Sequence, residues 1–371
     1  MIAECPVCRE TSFRKIWTLP QSPLLQLVES SKPLPSDYFA PLQIVRCVGC
    51  AHLFNKSYEP HLWSRMYTGP VLSNKPVHPS MITRLADVLT WIGMEHIQGK
   101  HVIEVGAGTG HLARILASAA KTVQVFEPSV GLTKTAVPER NIELFNEPFS
   151  SSRITRQADL IICRQVLEHL AQPFQLLREI GQSLTSSGHL YLEVPAAEFI
   201  EAQAAFYELH NAHVQYFHRH NLVALGTQAG LVPLKEQDIM DCHDRGILFA
   251  LANGVAFPPP TPTPTSNSDF DTLVQRLQAK AATLQTQWAR QPGRHYLYGA
   301  TWHAVAFLGA INDSIPIEAV LDDNTDYHGY HLYTRKHVIP VSSINALKPN
   351  ENSSIMITAH LHQQVIRSRL R

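Results

Sequence analysis

The sequence predicts an α/β fold: a doubly wound, mostly parallel sheet domain in the middle of the chain, a small cysteine-pair module before it and a second Rossmann-like unit after it. Three observations carry this reading. Two C-x-x-C pairs, Cys5–Cys8 and Cys47–Cys50, open the chain. A buried-strand pattern at residues 101–105 runs through Gly106-Ala107-Gly108-Thr109-Gly110 into a helical stretch, and further strands and helices alternate after it. Beyond a Pro/Thr-rich run a helix, a strand, a glycine turn and another strand repeat the alternation. The expected division is 1–75, 76–256, a linker at 257–268, and 269–371.

Composition bounds the class. The 371 residues carry 31 Lys+Arg against 31 Asp+Glu and are 44% hydrophobic, with six cysteines. A disordered or fibrous chain is excluded, and so is the broad basic field that a nucleic-acid or membrane-surface binder needs. No run reaches the ~18 apolar residues of a membrane span, and Met1-Ile2-Ala3-Glu4-Cys5-Pro6 lacks a basic-then-apolar leader pattern. The expectation is a cytoplasmic protein whose partner is a small molecule. Thiols stay reduced there, so the cysteines are ligands or buried groups rather than disulfides. Cys5, Cys8, Cys47 and Cys50 can turn four sulfurs toward one point, the tetrahedral thiolate set that zinc prefers. Such a closed shell does not activate water; the ion would hold together a segment with little core of its own. The lone thiols Cys163 and Cys242 are expected in core packing.

In the central domain Met81, Leu85, Val88, Leu89 and Ile92 recur at helical spacing across residues 81–97. The strand at 101–105 follows, then the glycine turn, then a helix over 111–120. Glycines here let a ligand approach the backbone closely. Their spacing is G-x-G-x-G, with Glu104 two residues before Gly106, not the G-x-G-x-x-G of dinucleotide sites. The arrangement resembles the first motif of class I S-adenosylmethionine-dependent methyltransferases. The second strand, 122–126, ends in Glu127, placed to accept hydrogen bonds from two ribose hydroxyls. A third strand at 142–145 leads to Asn146-Glu147-Pro148-Phe149, which puts Glu147 and Phe149 beside the adenine. A strand at 158–163 precedes a helix containing Val166-Leu167-Glu168-His169, and a fifth strand, 189–195, follows a turn at Ser187–Gly188. The cofactor set is thus Glu104, Gly106, Gly108, Gly110, Glu127, Glu147 and Phe149.

Over nearly its whole length the chain resembles the three-part sugar C-methyltransferases. The matching features are the doubled C-x-x-C, Glu104–Gly110 with Val166-Leu167-Glu168-His169, and a C-terminal stretch with Tyr298-Gly299-Ala300 and Val320-Leu321-Asp322-Asp323-Asn324. The resemblance implies a class I methyltransferase domain flanked by a small zinc module and a C-terminal Rossmann-like domain. It also implies the reaction, methylation of the carbon next to the ketone of a nucleotide-linked 4-keto deoxysugar. A base must remove that carbon's proton before it can attack the sulfonium methyl group, and the ketone spreads the resulting charge as an enolate. In the family the base is a histidine in a Tyr-His-Glu-His segment followed two residues later by Tyr-Phe, assisted by the histidine of the Leu-Glu-His motif. By that resemblance His213 is the base and His169 its assistant. The segment departs from the pattern at His210, Asn211 and Ala212, where the family has tyrosine, histidine and glutamate; His210 is the candidate to replace the phenol. The competing reading makes His213 a surface residue of a His-rich loop with His218 and His220.

The run Phe257–Thr265, with five prolines after Phe257, the last two alternating with threonine, reads as a semi-rigid spacer. Leu273, Leu277, Leu284 and Trp288 then share one helix face, and strands at 295–298 and 319–321 flank a further helix. With only Gly299 in its turn, this βαβ unit is not expected to bind a dinucleotide by itself. The resemblance implies that it covers the active site, the alternative being a structural cap. Two other functions stay open: methylation of an oxygen, nitrogen or carbon of another natural product, and a non-catalytic zinc-containing sugar-nucleotide-binding protein.

Overall fold

The structure is a computed structural model that describes residues 1–62, 76, 78–129, 132, 136–252, 267–311, 315–347 and 352–370. The boundary expected near residue 75 and most of the spacer expected at 257–268 lie outside the described residues.

Three sheets organise the chain. The first joins β1 (Phe13–Pro23), β2 (Phe39–Cys47) and β3 (Leu53–Asn55) in antiparallel order, and its fourth strand, β9 (Gln215–Tyr216), comes from the histidine segment of the central domain. Leu53 pairs with Tyr216 and Phe54 with Gln215. The cysteine module is therefore stitched to the segment that carries His213.

The central sheet has the order β10-β11-β8-β7-β4-β5-β6. Its strands are β4 (His101–Val105), β5 (Thr122–Phe126), β6 (Ile142–Phe145), β7 (Ala158–Arg164), β8 (Leu184–Pro195), β10 (Leu231–Ile239) and β11 (Asp244–Leu251). Neighbours β8-β7-β4-β5-β6 are parallel, whereas β11 runs antiparallel to both β8 and β10. A hairpin with its second strand inserted beside β8 is the class I methyltransferase arrangement. The strand order reverses at β4, and the crevice at the carboxyl ends of β4 and β7 is where such sheets bind ligands. Parallel strands covered on both faces need an apolar centre, which β7 has between Asp159 and Arg164: Leu160, Ile161, Ile162 and Cys163 are all fully buried.

Several boundaries differ from expectation. Helix α1 (Pro79–Ile92) stops before residue 97 because Gly93 takes φ +105°, and α2 ends at Ala117 (His111–Ala117). Val166–His169 forms no helix: Leu167–His169 is a single 3₁₀ turn, and α3 (Pro173–Ser183) starts afresh with proline in its first turn. Proline disfavours helical backbone in the residue before it, which separates the two. The expected turn at Ser187–Gly188 lies within β8 as an excursion from the ladder: Ala158 of β7 pairs with Leu184 but Leu160 with His189, and a Cβ on Gly188 would come 3.0 Å from Thr185 N and 2.9 Å from the Ala158 carbonyl, so regular pairing resumes at His189.

The third sheet has the order β14-β15-β13-β12-β16, all parallel but β14, from β12 (Arg294–Tyr298), β13 (Ile317–Leu321), β14 (His331–Tyr333), β15 (Val338–Ser342) and β16 (Ser353–Ile357). Between β12 and β13 lies α7 (Trp302–Ala310), in which Ala304 through Leu308 are all buried. A short helix can be apolar all round only if covered all round. Here the C-terminal sheet takes one side, while Leu19 of β1 and Phe206 of the central domain take others. The long helix α6 (Asn267–Ala289) adds Leu273, Leu277 and Trp288 to the same core, with Leu284 half-buried. The first and third sheets thus share one hydrophobic cluster, to which the central domain adds Ala197, Ile200 and the stretch Ala204–Leu209 just ahead of the histidine segment.

Candidate active site

The glycine turn after β4 has Gly106, Gly108 and Gly110 all at positive φ, +78°, +56° and +75°. Their needs differ. A Cβ on Gly106 would strike Val166 Cγ2 at 2.2 Å and one on Gly110 would strike Val137 Cγ1 at 2.5 Å, so these two let the turn pack on its neighbours. A Cβ on Gly108 would meet nothing within 4 Å, which makes it the open face of the turn. Glu127 accepts hydrogen bonds from Gly108 N at 2.6 Å and Ser129 N at 2.9 Å, and so fixes the turn. Glu104 is buried, with Oε2 unpartnered. Burial pushes its carboxyl up to about 8; Arg164 opposes this and Glu127 reinforces it. A buried acid with one oxygen unpartnered beside an open glycine turn fits a ligand bearing an ammonium group, as S-adenosylmethionine does. Phe149 stands edge-on to Phe126, at 5.1 Å, next to the stacked pair Phe126–Phe145. Glu147 instead pairs with Arg153 at 2.6 Å on the surface.

The histidines converge from the far side of the crevice. His169, at the end of its 3₁₀ turn, donates through Nδ1 to the Ala212 carbonyl at 2.7 Å, which leaves Nε2 as its acceptor nitrogen. The ring of His213 lies 5.0 Å from that of His169 and 4.3 Å from that of His210. Removal from water lowers all three, His210 to about 3 and His213 well below the usual imidazole range, so each is neutral at physiological pH. His210 stacks on Trp302 of α7, ring centroids 5.3 Å apart. Tyr216 uses its hydroxyl on both backbone groups of His210. Asn211 donates to the carbonyls of Ser22 and Pro23 and accepts from Asn55, so this departure from the family pattern ties the segment to the N-terminal sheet. The neighbouring histidines serve α5 (Arg219–Gln228): His218 is its buried N-cap, and His220 donates to the Cys50 carbonyl.

Residues that sequence reasoning missed complete the site. Glu208 contacts His243 (3.1 Å) through one oxygen and His303 of α7 (3.0 Å) through the other. The other nitrogen of His243 meets Asp244 at 2.7 Å. Asp244 bonds Arg84, Arg84 bonds Glu193 at 2.8 Å, and Glu193 holds Arg164 through two bonds of 2.9 and 2.8 Å. Burial opposes charge on His243, but its bonds to Asp244 and Glu208 prevail and raise it to about 10; the two histidines in turn hold Glu208 well below the usual carboxylate range despite its burial. Glu168 is a buried carboxyl with neither oxygen hydrogen-bonded, and burial pushes it well above the usual carboxylate range. Glu208 stands two residues before His210, and proximity in sequence offered a signal for it. Nothing local pointed to His243 or His303, which only the fold brings there.

The four sulfurs of Cys5, Cys8, Cys47 and Cys50 lie within 4.8 Å of one another, with Cys5–Cys50 at 3.6 Å and Cys8–Cys47 at 3.5 Å. A thiolate quartet of this size is compatible with tetrahedral zinc. Cys163 is buried as expected, but Cys242 is exposed. It sits in a turn where Met240, Asp241 and Cys242 all have positive φ, too tight for its side chain to reach the core. In the C-terminal unit Asp322 accepts from Ala300 N and Asn324 N, repeating the way Glu127 closes the first glycine turn, and a Cβ on Gly299 would meet Ala359 at 2.7 Å.

Residues 78–236 match the family described as a methyltransferase domain. The chain is 28% identical over 109 residues to a tRNA U34 carboxymethyltransferase of Campylobacter curvus, covering 26% of this chain and 35% of that protein. It is 25% identical over 128 residues to a ubiquinone biosynthesis O-methyltransferase of Coxiella burnetii, covering 33% of this chain and 53% of that one. The match thus spans from a third to about half the length of these curated relatives. A solved structure, the N-methyltransferase NodS from Bradyrhizobium japonicum in complex with S-adenosyl-L-homocysteine, aligns with 16% identity and a TM-score of 0.36 over 48% of this chain and 90% of that one. Among the described residues no helix is long and apolar enough to cross a membrane.

Proposed function

We propose that the central domain, an S-adenosylmethionine-dependent methyltransferase, methylates the carbon next to the ketone of a nucleotide-linked keto deoxysugar. The observation that carries the reading is the convergence of His169, His210 and His213 within one cluster of rings, walled by Trp302 from the C-terminal unit. Bound S-adenosylmethionine supplies an electrophilic methyl group. Glu104 receives its ammonium group, Glu127 the ribose hydroxyls and Phe149 one edge of the adenine, while the open face of Gly108 lets the backbone approach. Glu147, turned to Arg153, is left a peripheral role. His213, held neutral by burial, takes the proton from the carbon beside the ketone. His169, its Nδ1 committed to Ala212, offers Nε2 to the same space, and His210 takes the place of the family phenol. Zinc at Cys5, Cys8, Cys47 and Cys50 is scaffold, keeping β3 in place for β9. The units are taken as 1–75, 76–256 and 269–371, in a cytoplasmic protein whose partner is this small molecule.

A second reading keeps the cofactor and changes the acceptor to an oxygen. It is favoured by Ala212, where the sugar enzymes have glutamate, and by the curated likeness to an O-methyltransferase of ubiquinone biosynthesis. Incubation with a nucleotide-linked 4-keto deoxysugar in deuterated water, without cofactor, separates the two. Enolisation places deuterium on the carbon beside the ketone, read by mass spectrometry, and His213→Gln abolishes it. Absence of both exchange and methylated sugar across a panel of nucleotides rejects the keto-sugar reading.

A further inference from the structure

The cysteine cage is not the one place where metal-binding side chains meet. Glu208 lies just ahead of the histidine segment, His243 just before β11, and His303 in the first turn of α7. One carboxylate and two imidazoles thus come from different elements, with ligand atoms all within 4.8 Å of one another. The group is shielded from water: Glu208 is 3% and His243 6% exposed.

The separations of 3.1 and 3.0 Å between Glu208 and the two Nε2 atoms suit hydrogen bonds. Each imidazole approaches a different carboxylate oxygen, Oε1 for His243 and Oε2 for His303, so an ion would be held by both oxygens or draw the two rings toward one. Two ligands each about 2.1 Å from an ion and at right angles to one another lie about 3.0 Å apart, the spacing on one face of a six-coordinate centre. The surroundings favour the metal. His243 Nδ1 is bonded to Asp244 at 2.7 Å, which directs Nε2 toward Glu208. This carboxylate–histidine arrangement orients imidazoles on metals, and Asp244 is itself fixed by Arg84. Two histidines and one carboxylate occupy three positions and leave others open. Glu208 and His243 also line a closed slot with His213 and Tyr216 on its walls, which has no room for a water molecule here and must widen to admit an acceptor oxygen.

We propose that Glu208, His243 and His303 form a binding site for a divalent transition-metal ion between the central and C-terminal units. Loading the site releases the proton between His243 Nε2 and Glu208 to solvent and shifts the one between His303 Nε2 and Glu208 to His303 Nδ1. The ion's open positions take an oxygen of the acceptor, which under the keto-sugar reading is the ketone oxygen where enolate charge develops. That last step rests on the proposed function; the site does not.

The test uses the full chain with its cysteine metal counted by elemental mass spectrometry. Mn2+ alone is titrated and the free ion followed by electron paramagnetic resonance, with Co2+ absorption as a second probe. One Mn2+ per chain is expected in addition to the cysteine metal. Glu208→Gln and His303→Asn should each weaken Mn2+ binding at least tenfold, and Asp244→Asn, which takes the negative charge from behind His243 and from Arg84 but no ligand atom, roughly 10–100-fold, with the cysteine metal retained in all. Asp244→Asn also serves if either ligand variant fails to fold. No uptake of Mn2+, Co2+ or Zn2+ beyond the cysteine metal, or uptake indifferent to these changes, overturns the site. Metal binding without deuterium exchange on any keto sugar leaves the site standing and removes the keto-sugar reading; exchange without metal binding does the reverse.

Discussion

Glu104 is the residue where stability and cofactor binding should pull in opposite directions. Its carboxyl, ordinarily at 4.5, is raised to about 8 in the folded chain, burial being the largest cause. Between those two values the unfolded chain has lost this proton and the folded chain keeps it. Folded protein therefore binds more protons, and stability falls as pH rises from 4.5 toward 8, then levels off. At about 1.4 kcal/mol per unit, the interval is worth up to about 5 kcal/mol. Glu104→Gln removes the ionisation, so the variant should gain on the wild type as pH rises, by about 3 kcal/mol at pH 8.5 once relaxation is allowed for. Cofactor binding should show the opposite face of the same property. An ammonium group selects the ionised carboxylate, whose population rises about tenfold per pH unit below 8, and the apparent Kd falls in proportion. The rise ends near pH 8, where an α-amino group itself loses its proton at about 7.7–8.0. Calorimetric titration with S-adenosylhomocysteine from pH 5.5 to 8, beside thermal melts of both proteins, measures both effects. A wild-type Kd flat with pH, or a variant that melts lower at pH 8.5 and binds as tightly, refutes the reasoning.

Three further outcomes follow from the contacts. Cys47→Ser, or stripping zinc with a chelator, should abolish methyl transfer as well as order in the N-terminal unit, because β3 pairs with β9 two residues beyond His213; hydrogen exchange at Gln215 and Tyr216 should rise together with the loss of activity. Glu193→Gln leaves Arg84 and Arg164 facing a neutral amide in a buried site, and urea unfolding should show a loss of about 3–5 kcal/mol. Trp302→Ala removes the ring stacked on His210; it should raise the acceptor KM about tenfold and leave the Kd for S-adenosylhomocysteine unchanged, a split visible in steady-state kinetics beside calorimetry.

The sequence disclosed what depends on local pattern. Strands β4 to β7 are short apolar runs bounded by glycine or acid, and their covered faces make that pattern unavoidable. The C-x-x-C pairs announce their convergence, since a knuckle has few other uses for two thiols. What stayed hidden depends on partners distant in the chain. A two-residue strand such as β9 has no periodicity to detect, and it exists because β3 offers an edge. His243 and His303 are ordinary histidines until β11 and α7 bring them to Glu208, 35 and 95 residues away. Cys242 misled because a small thiol in an apolar composition reads as core, whereas the tight turn that holds it is set by the β10–β11 pairing.

The segment from Ala204 to His218 explains why a methyltransferase domain should carry two flanking units. Apart from one 3₁₀ turn and the two residues of β9 it has no regular structure, yet it must hold His210 and His213 in register with His169. Fixing some ten such residues costs about 1–2 kcal/mol each in backbone entropy, more than the segment's own contacts can offset. The offset comes from elsewhere: Asn211 on Ser22 and Pro23, Val214 O accepting from Asn55 N, Val214 N donating to the Glu168 carbonyl, and Trp302 and His303 pressing from α7. Each tether belongs to a different part of the chain. Removing either flanking unit would leave the glycine turn and Glu127 intact while freeing the histidines, so a truncated central domain should retain its cofactor site and lose its chemistry.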